Sequence, residues 1–194
     1  MSPANRLTSS QTLTDLGPSP QEFVHALADR GIKDTRADLL PHLHIVRHRS
    51  SLDSHDAPIR QLFAKLFLRR LQEYLLRPGH PQATADIIPP EKFTSEKGDT
   101  TARARVFLAG MSDSEFPPVG AWTVEFTMYS ALHAPEPNDT LNIHTCFLKA
   151  DVFLTRPMLD LLLAPHDASG GPFDDWLHRR LFLSIGQYGG EVTV

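Results

Sequence analysis

The sequence predicts an α+β protein in which a curved antiparallel sheet wraps around one long helix. Three observations carry that expectation. The first half of the chain holds helical periodicities, the best of them from Pro58 to Leu76. The stretch from Glu96 to Phe153 then holds three long runs of strand-forming residues. The linkers between those runs are turn-rich rather than helical, the order of a meander and not of βαβ units. A chain of 194 residues buries about two-thirds of its unfolded surface without disulfides or metal. It divides most simply into a lead-in over residues 1–18, one domain over 19–164 and a C-terminal extension over 165–194 with a short helix.

Taken in order, Ser19 caps a short helix with Pro20 at its first position, Phe23, Val24 and Leu27 on one face, and Gly31 as its stop. A second helical piece runs from Thr35 to Leu40 and ends against Pro41. The segment from His42 to Arg49 alternates as a strand, with Leu43, Ile45 and Arg47 on one face and His42, His44, Val46 and His48 on the other. In the long helix Ile59, Leu62, Phe63, Leu66, Phe67, Leu71, Tyr74 and Leu75 follow three-and-four spacing, and Arg77, Pro78 and Gly79 end it. The side bearing Leu62, Phe63 and Leu66 is expected to face the sheet. A short strand is read at Ala85 to Ile88.

The three long strand runs follow. Thr101 to Met111 alternates Ala102, Ala104, Val106 and Leu108 against Arg103, Arg105, Phe107 and Ala109. Ala121 to His133 sets Trp122, Val124, Phe126, Met128 and Leu132 against Thr123, Glu125, Thr127 and Tyr129. Leu141 to Leu154, read as one strand, turns Ile143, Phe147, Asp151 and Phe153 to the inner face. Thr155 caps a helix through Leu163, and a last helix runs from Phe173 to Leu183 with Phe173, Trp176, Leu177 and Leu181 as its apolar stripe.

Composition and motifs exclude several functions. With 19 basic against 23 acidic residues and no basic cluster, the chain has no nucleic-acid footprint. No run reaches the roughly 18 apolar residues of a membrane span. The single cysteine, Cys146, cannot close an internal disulfide and suits a reducing compartment, read as the cytoplasm. His42, His44 and His48 share a strand face but lack a further ligand at linked spacing, so no metal is expected. There is no GxSxG, GxGxxG or P-loop, and no cofactor is expected.

Several passages resemble the SnoaL-like branch of the NTF2-like superfamily. These are HALADRGIKDTRADLLPHLHIVRH, DAPIRQLF, EKGDTTARARVFLAGMSDSEFPPVG, and the last strand from Ile143 to Asp151, so that the resemblance spans residues 20–162. It implies a cone-shaped fold around one deep apolar pocket. In catalytic members an aspartate near the end of the last strand is the acid or base, which implies that role for Asp151, and a first-strand histidine near the pocket corresponds to His48. Some cyclases of the branch carry a histidine where this chain has Ser112. That departure sets it apart from aldol-type polyketide cyclisation.

The resulting expectation is a cofactor-independent cyclase or isomerase, with a dehydratase or a pericyclase as variants, acting on a small hydrophobic polyketide- or terpenoid-like substrate. Trp122, Phe126, Met128, Phe147 and Phe153 would fold the substrate, Asp151 with His48 or Tyr129 would move a proton, and Arg103 and Arg105 would clamp a carboxylate or carbonyl. The competing local reading pairs Asp151 with Lys149 or Arg156 at a solvated strand mouth. The rival function is a non-catalytic binding module, and the interior discriminates: an open polar cavity favours the enzyme, a filled one the module. A homodimer is expected through the outer sheet face, bordered by His144 and Cys146.

Overall fold

A computed structural model of the chain describes residues 39–47, 57–118, 121–130 and 140–185. The helix read at Ser19 to Gly31, residues 35–38 of the piece read from Thr35, His48, the tail after Ile185 and the domain boundary at residue 18 lie outside them. The described residues form an α+β fold with a four-stranded mixed sheet. Strand β1 spans Leu43–Arg47, β2 Val124–Ser130, β3 Leu141–His144 and β4 Lys149–Leu154, in the order β1-β2-β4-β3. Strands β1, β2 and β4 run parallel, and only β3 is antiparallel, paired with β4. The expected all-antiparallel meander is therefore corrected to a mixed sheet.

Helix α1 (Ala57–Leu76) crosses from β1 to the helical layer, where α2 (Pro90–Ser95), α3 (Ala102–Ser112), α4 (Arg156–Leu163) and α5 (Pro172–Ser184) complete the described α-helices. Its buried stripe is Phe63, Phe67, Leu71, Tyr74 and Leu75, the spacing that keeps one side of a helix against a core. Phe67 is the joint of the interior: its ring meets Phe126 of β2 at 5.4 Å and Phe173 of α5 edge-on at 5.7 Å. Burying such a side chain contributes about 2 to 3 kcal/mol. Of the three residues expected to face the sheet, Phe63 is buried and Leu66 half-buried, but Leu62 is 64% exposed. The apolar stripe is wider than the sheet contact, and its surplus edge faces out.

The largest correction concerns Thr101 to Met111, which is helix α3 and not a strand. Every residue from Ala102 to Met111 is buried, so the helix has no wet side and leaves no 3.6-residue period in the sequence. Ala, Arg, Leu and Met at most positions favour the helix locally. Asp99 prepares its start, with one carboxylate oxygen accepting from Thr101 N and Thr101 Oγ1, each at 2.8 Å. Asp113 ends it in the left-handed conformation, φ 57°, donating its N–H to Ala109 O. At Gly110 the helix touches α5 so closely that an added Cβ would lie 3.1 Å from the Leu181 Cα.

The run from Leu141 to Leu154 is likewise two strands, not one. A 3-10 turn at Thr145–Phe147 and Leu148 in the left-handed region (φ 53°) fold it into a hairpin in which Ile143 pairs with Ala150 and Asn142 with Asp151. The fold-back breaks the parity that had placed Ile143, Phe147 and Asp151 on one face. Ile143 packs on the core, whereas Asp151 lies with Phe153 on the opposite face of the sheet. The strand read at Ala85 to Ile88 is a turn following the 3-10 helix Gln82–Thr84. The last two helices fall where their caps put them, with the Thr155 hydroxyl accepting from Met158 N at 3.3 Å and Pro172 opening α5.

Candidate functional site

The sheet has two unlike faces. Its inner face presents Leu43, Val124, Phe126, Met128, Ala150, Val152 and Leu154, all buried against α1 and its neighbours. Phe126 and Met128 are thus core residues and not walls of a pocket. The outer face presents Glu125, Thr127 and Tyr129 from β2 beside Lys149, Asp151 and Phe153 from β4, in register. Here three of the expected site residues do meet. Tyr129 stacks on Phe153 with centroids 5.2 Å apart and planes 18° apart.

On the same face His144 Nε2 donates to Asp151 Oδ2 at 3.0 Å. Donation through Nε2 leaves the neutral imidazole its lone pair on Nδ1. Lys149 pairs with Glu125 at 2.7 Å and Arg156 with Asp160 at 3.5 Å, so neither takes Asp151. Desolvation, with the negative charge of Asp151 adding to it, raises the pKa of Tyr129. Phe147, 72% exposed, sits on the hairpin turn away from this group. Trp122 lies ahead of β2, stacked on His42 at 4.2 Å, while His42 Nδ1 donates to Trp122 O at 2.9 Å.

Arg103 and Arg105 belong to a different place, the buried helical layer, where Arg103 faces α1 and α5 and Arg105 faces the turn that precedes α3. Each is only 1% exposed. Arg103 pairs with Asp174, which also takes Arg77 at 2.8 Å; its Nε donates to Gly79 O at 3.0 Å, and its guanidinium lies over the Tyr74 ring. Arg105 pairs with Glu96 and Asp99, each at 2.8 Å. Their charges are spent on carboxylates of the fold itself, which is what keeps two guanidinium groups in an apolar interior. A clamp on a substrate is not where they stand.

Beside them runs a chain of hydrogen bonds that sequence reasoning missed. Burial, reinforced by the electrostatic influence of His80 and by the positive charges of Arg103 and Lys92, pushes His178 down to about 2, so its imidazole is neutral. Glu96 would be raised by burial, but the His80 hydrogen bond and the Arg105 charge overcome this and hold it below its ordinary value. When Glu96 is ionised and both imidazoles are neutral the protons have one arrangement. His80 Nε2–H donates to Glu96 at 2.8 Å, His178 Nε2–H to His80 Nδ1 at 3.0 Å, and Tyr74 O–H to His178 Nδ1 at 2.7 Å. Burial raises the Tyr74 phenol far above its ordinary value, which keeps it the donor. The network ties α1, α5 and the 77–99 connection together. Its partners lie up to 104 positions apart, so no local spacing announces it.

A third feature lies outside both. Between α1 and α4 is an apolar surface hollow of about 410 Å³, lined by Leu62, Phe63, Leu66, Leu159 and Leu163, with Lys65 and Arg69 at its edge. Leu163 is 62% exposed, nearly as open as Leu62. Arg70 fixes the two walls: its Nε donates to Leu162 O at 3.0 Å and a terminal nitrogen to Ala164 O at 3.1 Å, satisfying carbonyls at the end of α4. Glu73 accepts from Arg70 at 3.2 Å. Among the described residues no group of three or more His, Cys, Asp or Glu is disposed to hold a metal ion, and no helix is long and apolar enough to cross a membrane.

Comparison with family models, with curated proteins and with solved structures finds no match for this chain.

Proposed function

We propose that the chain is a protein-interaction module that works through the leucine-lined hollow between α1 and α4. The observation that carries this reading is the contrast, among the described residues, between a packed core and an open apolar edge. Phe126, Met128, Phe67 and Phe173 occupy the space between sheet and helices, while Leu62 and Leu163 stay 64% and 62% exposed around a hollow of about 410 Å³. An apolar patch rimmed by charge is what a docking surface needs, and folding alone gives no reason to leave it uncovered. Exposed Cys146 suits a reducing, cytoplasmic setting.

The test is the stability of dilute protein. Leu62→Gln with Leu163→Gln should leave the urea midpoint within about 0.5 kcal/mol of the parent, because side chains this exposed contribute little to the monomer. A loss of about 2 kcal/mol or more would make these leucines part of the core and end the reading.

A second reading rests on the His144–Asp151 pair beside the Tyr129–Phe153 stack. It is the cofactor-independent cyclase or isomerase, or a dehydratase, with the outer sheet face carrying the site and Asp151 orienting His144 as the proton carrier. Under it Asp151→Asn would lower turnover of a polyketide- or terpenoid-like substrate by about 10²- to 10⁴-fold with the fold intact. Full turnover in a folded variant would remove Asp151 from the chemistry.

A further inference from the structure

We propose that the Tyr74–His178–His80–Glu96 chain is a pH-operated switch whose hydrogen bonds reverse their sense, without opening, when His80 takes up a proton. Each imidazole uses both of its nitrogens: His80 meets Glu96 Oε2 at 2.8 Å and His178 Nε2 at 3.0 Å, and His178 also meets the Tyr74 hydroxyl at 2.7 Å. The His80 side chain is fully buried, as are Tyr74 and His178, while the Glu96 side chain is 14% exposed. The chain has one end near the surface and the other in the core. Its members are the kind that can turn round. A neutral imidazole donates from one nitrogen and accepts at the other in either tautomer, and a phenol both donates and accepts.

With both rings neutral, every hydrogen of the chain points toward Glu96. A proton taken up from solvent by His80 puts a hydrogen on each of its nitrogens. Its Nε2–H stays on the Glu96 carboxylate, now in a charge-assisted bond, and its Nδ1–H points at His178. His178 can accept it only with a lone pair on Nε2, so its own hydrogen lies on Nδ1 and the Tyr74 oxygen becomes the acceptor. No heavier atom has to move. The surroundings single out His80 as the receiver, because it is the ring that touches a carboxylate. Glu96 gives one oxygen to His80 and the other to Arg105 of α3, and Phe93 of α2 stacks on the His80 ring at 6.0 Å. His178 has His80 and Tyr74 on its two nitrogens, with the cations Arg103 of α3 and Lys92 of α2 nearby. On its own helix α5, Asp174 is taken by Arg103 and Arg77, and Arg179 is paired with Asp86. His178 therefore stays neutral in both forms and changes only its tautomer.

Long-range proton–nitrogen correlation spectra of the imidazoles in the full chain, followed from about pH 8 to 5, test this, because imidazoles titrate in that range and a ring nitrogen with a hydrogen resonates far from one without. The expected result is that His80 gains its second hydrogen while the His178 hydrogen passes from Nε2 to Nδ1 at the same midpoint, with near-UV circular dichroism unchanged. Glu96→Gln can still accept from His80 but carries no charge, and should lower that midpoint by about one pH unit, a tenfold loss of proton affinity. In His80→Gln, His178 should keep one tautomer throughout. A His178 that holds its hydrogen on Nε2 while His80 is protonated overturns the proposal, because the chain then breaks instead of reversing. A His80 still neutral at the acid end, a tautomer change that persists in His80→Gln, or loss of the native near-UV signal before the change overturns it equally.

Discussion

His178 sits where its protonated form has no place, with the Tyr74 phenol on Nδ1 and His80 on Nε2. The groups around it are Tyr74 of α1, Arg103 of α3, Lys92 of α2 and His80 of the connecting loop. Its folded value of about 2 lies below the ordinary 6.5, so below pH 6.5 the unfolded chain takes up a proton that the folded chain refuses. Stability from this group is complete above about pH 6.5 and falls as the pH drops, by about 1.4 kcal/mol per unit. Between pH 6.5 and 5 the loss should reach about 2 kcal/mol in urea titrations. Glu96, held below 4.5, adds its own loss only at more acid pH, which separates the two windows. His178→Gln, starting from lower stability, should show a flatter profile between pH 6.5 and 5. An equally steep profile in that variant would assign the acid sensitivity to other groups.

At the scale of elements, the contact between α3 and α5 is set by Gly110. A methyl there would meet the Leu181 side chain at 2.9 Å and its Cα at 3.1 Å. Gly110→Ala gains about 1 kcal/mol of helix propensity, but the two helices must separate. The net result should be a destabilisation of about 1 to 2 kcal/mol, read as a lower urea midpoint with α3 amides exchanging faster. A stabilised variant would show that the approach has slack. The same helix shows what the sequence made legible and what it did not. Helix α1, the strand β2 parity and the Thr155 cap of α4 were readable because each presents one wet and one dry side, or a cap with a local mechanism. Helix α3 has only buried sides, and its Arg103 and Arg105 alternate with alanines as strand residues would. The hairpin at Leu148 lacks the Gly or Asn that usually marks a left-handed turn residue, so the run from Leu141 to Leu154 read through. Losing that turn also turned Asp151 to the wrong face.

For the whole molecule, the interior and the surface answer different questions. The apolar residues that were expected to line a pocket divide between the core, where Phe126 and Met128 lie, and the outside, where Phe147 lies. The arginines expected to clamp a ligand hold the helical layer together. The candidate site was legible only in part: Asp151, Tyr129 and Phe153 do meet on one sheet face. His48 lies outside the described residues. The buried Tyr74–His178–His80–Glu96 chain joins residues that no local pattern connects. What remains uncommitted among the described residues is an apolar edge along α1 and α4. The account stands on that edge being a docking surface and not part of the core. Urea unfolding of the dilute chain beside its Leu62→Gln, Leu163→Gln variant tests this most directly. The account predicts stabilities within about 0.5 kcal/mol of each other; a loss of about 2 kcal/mol or more in the variant would contradict it by making Leu62 and Leu163 part of the core.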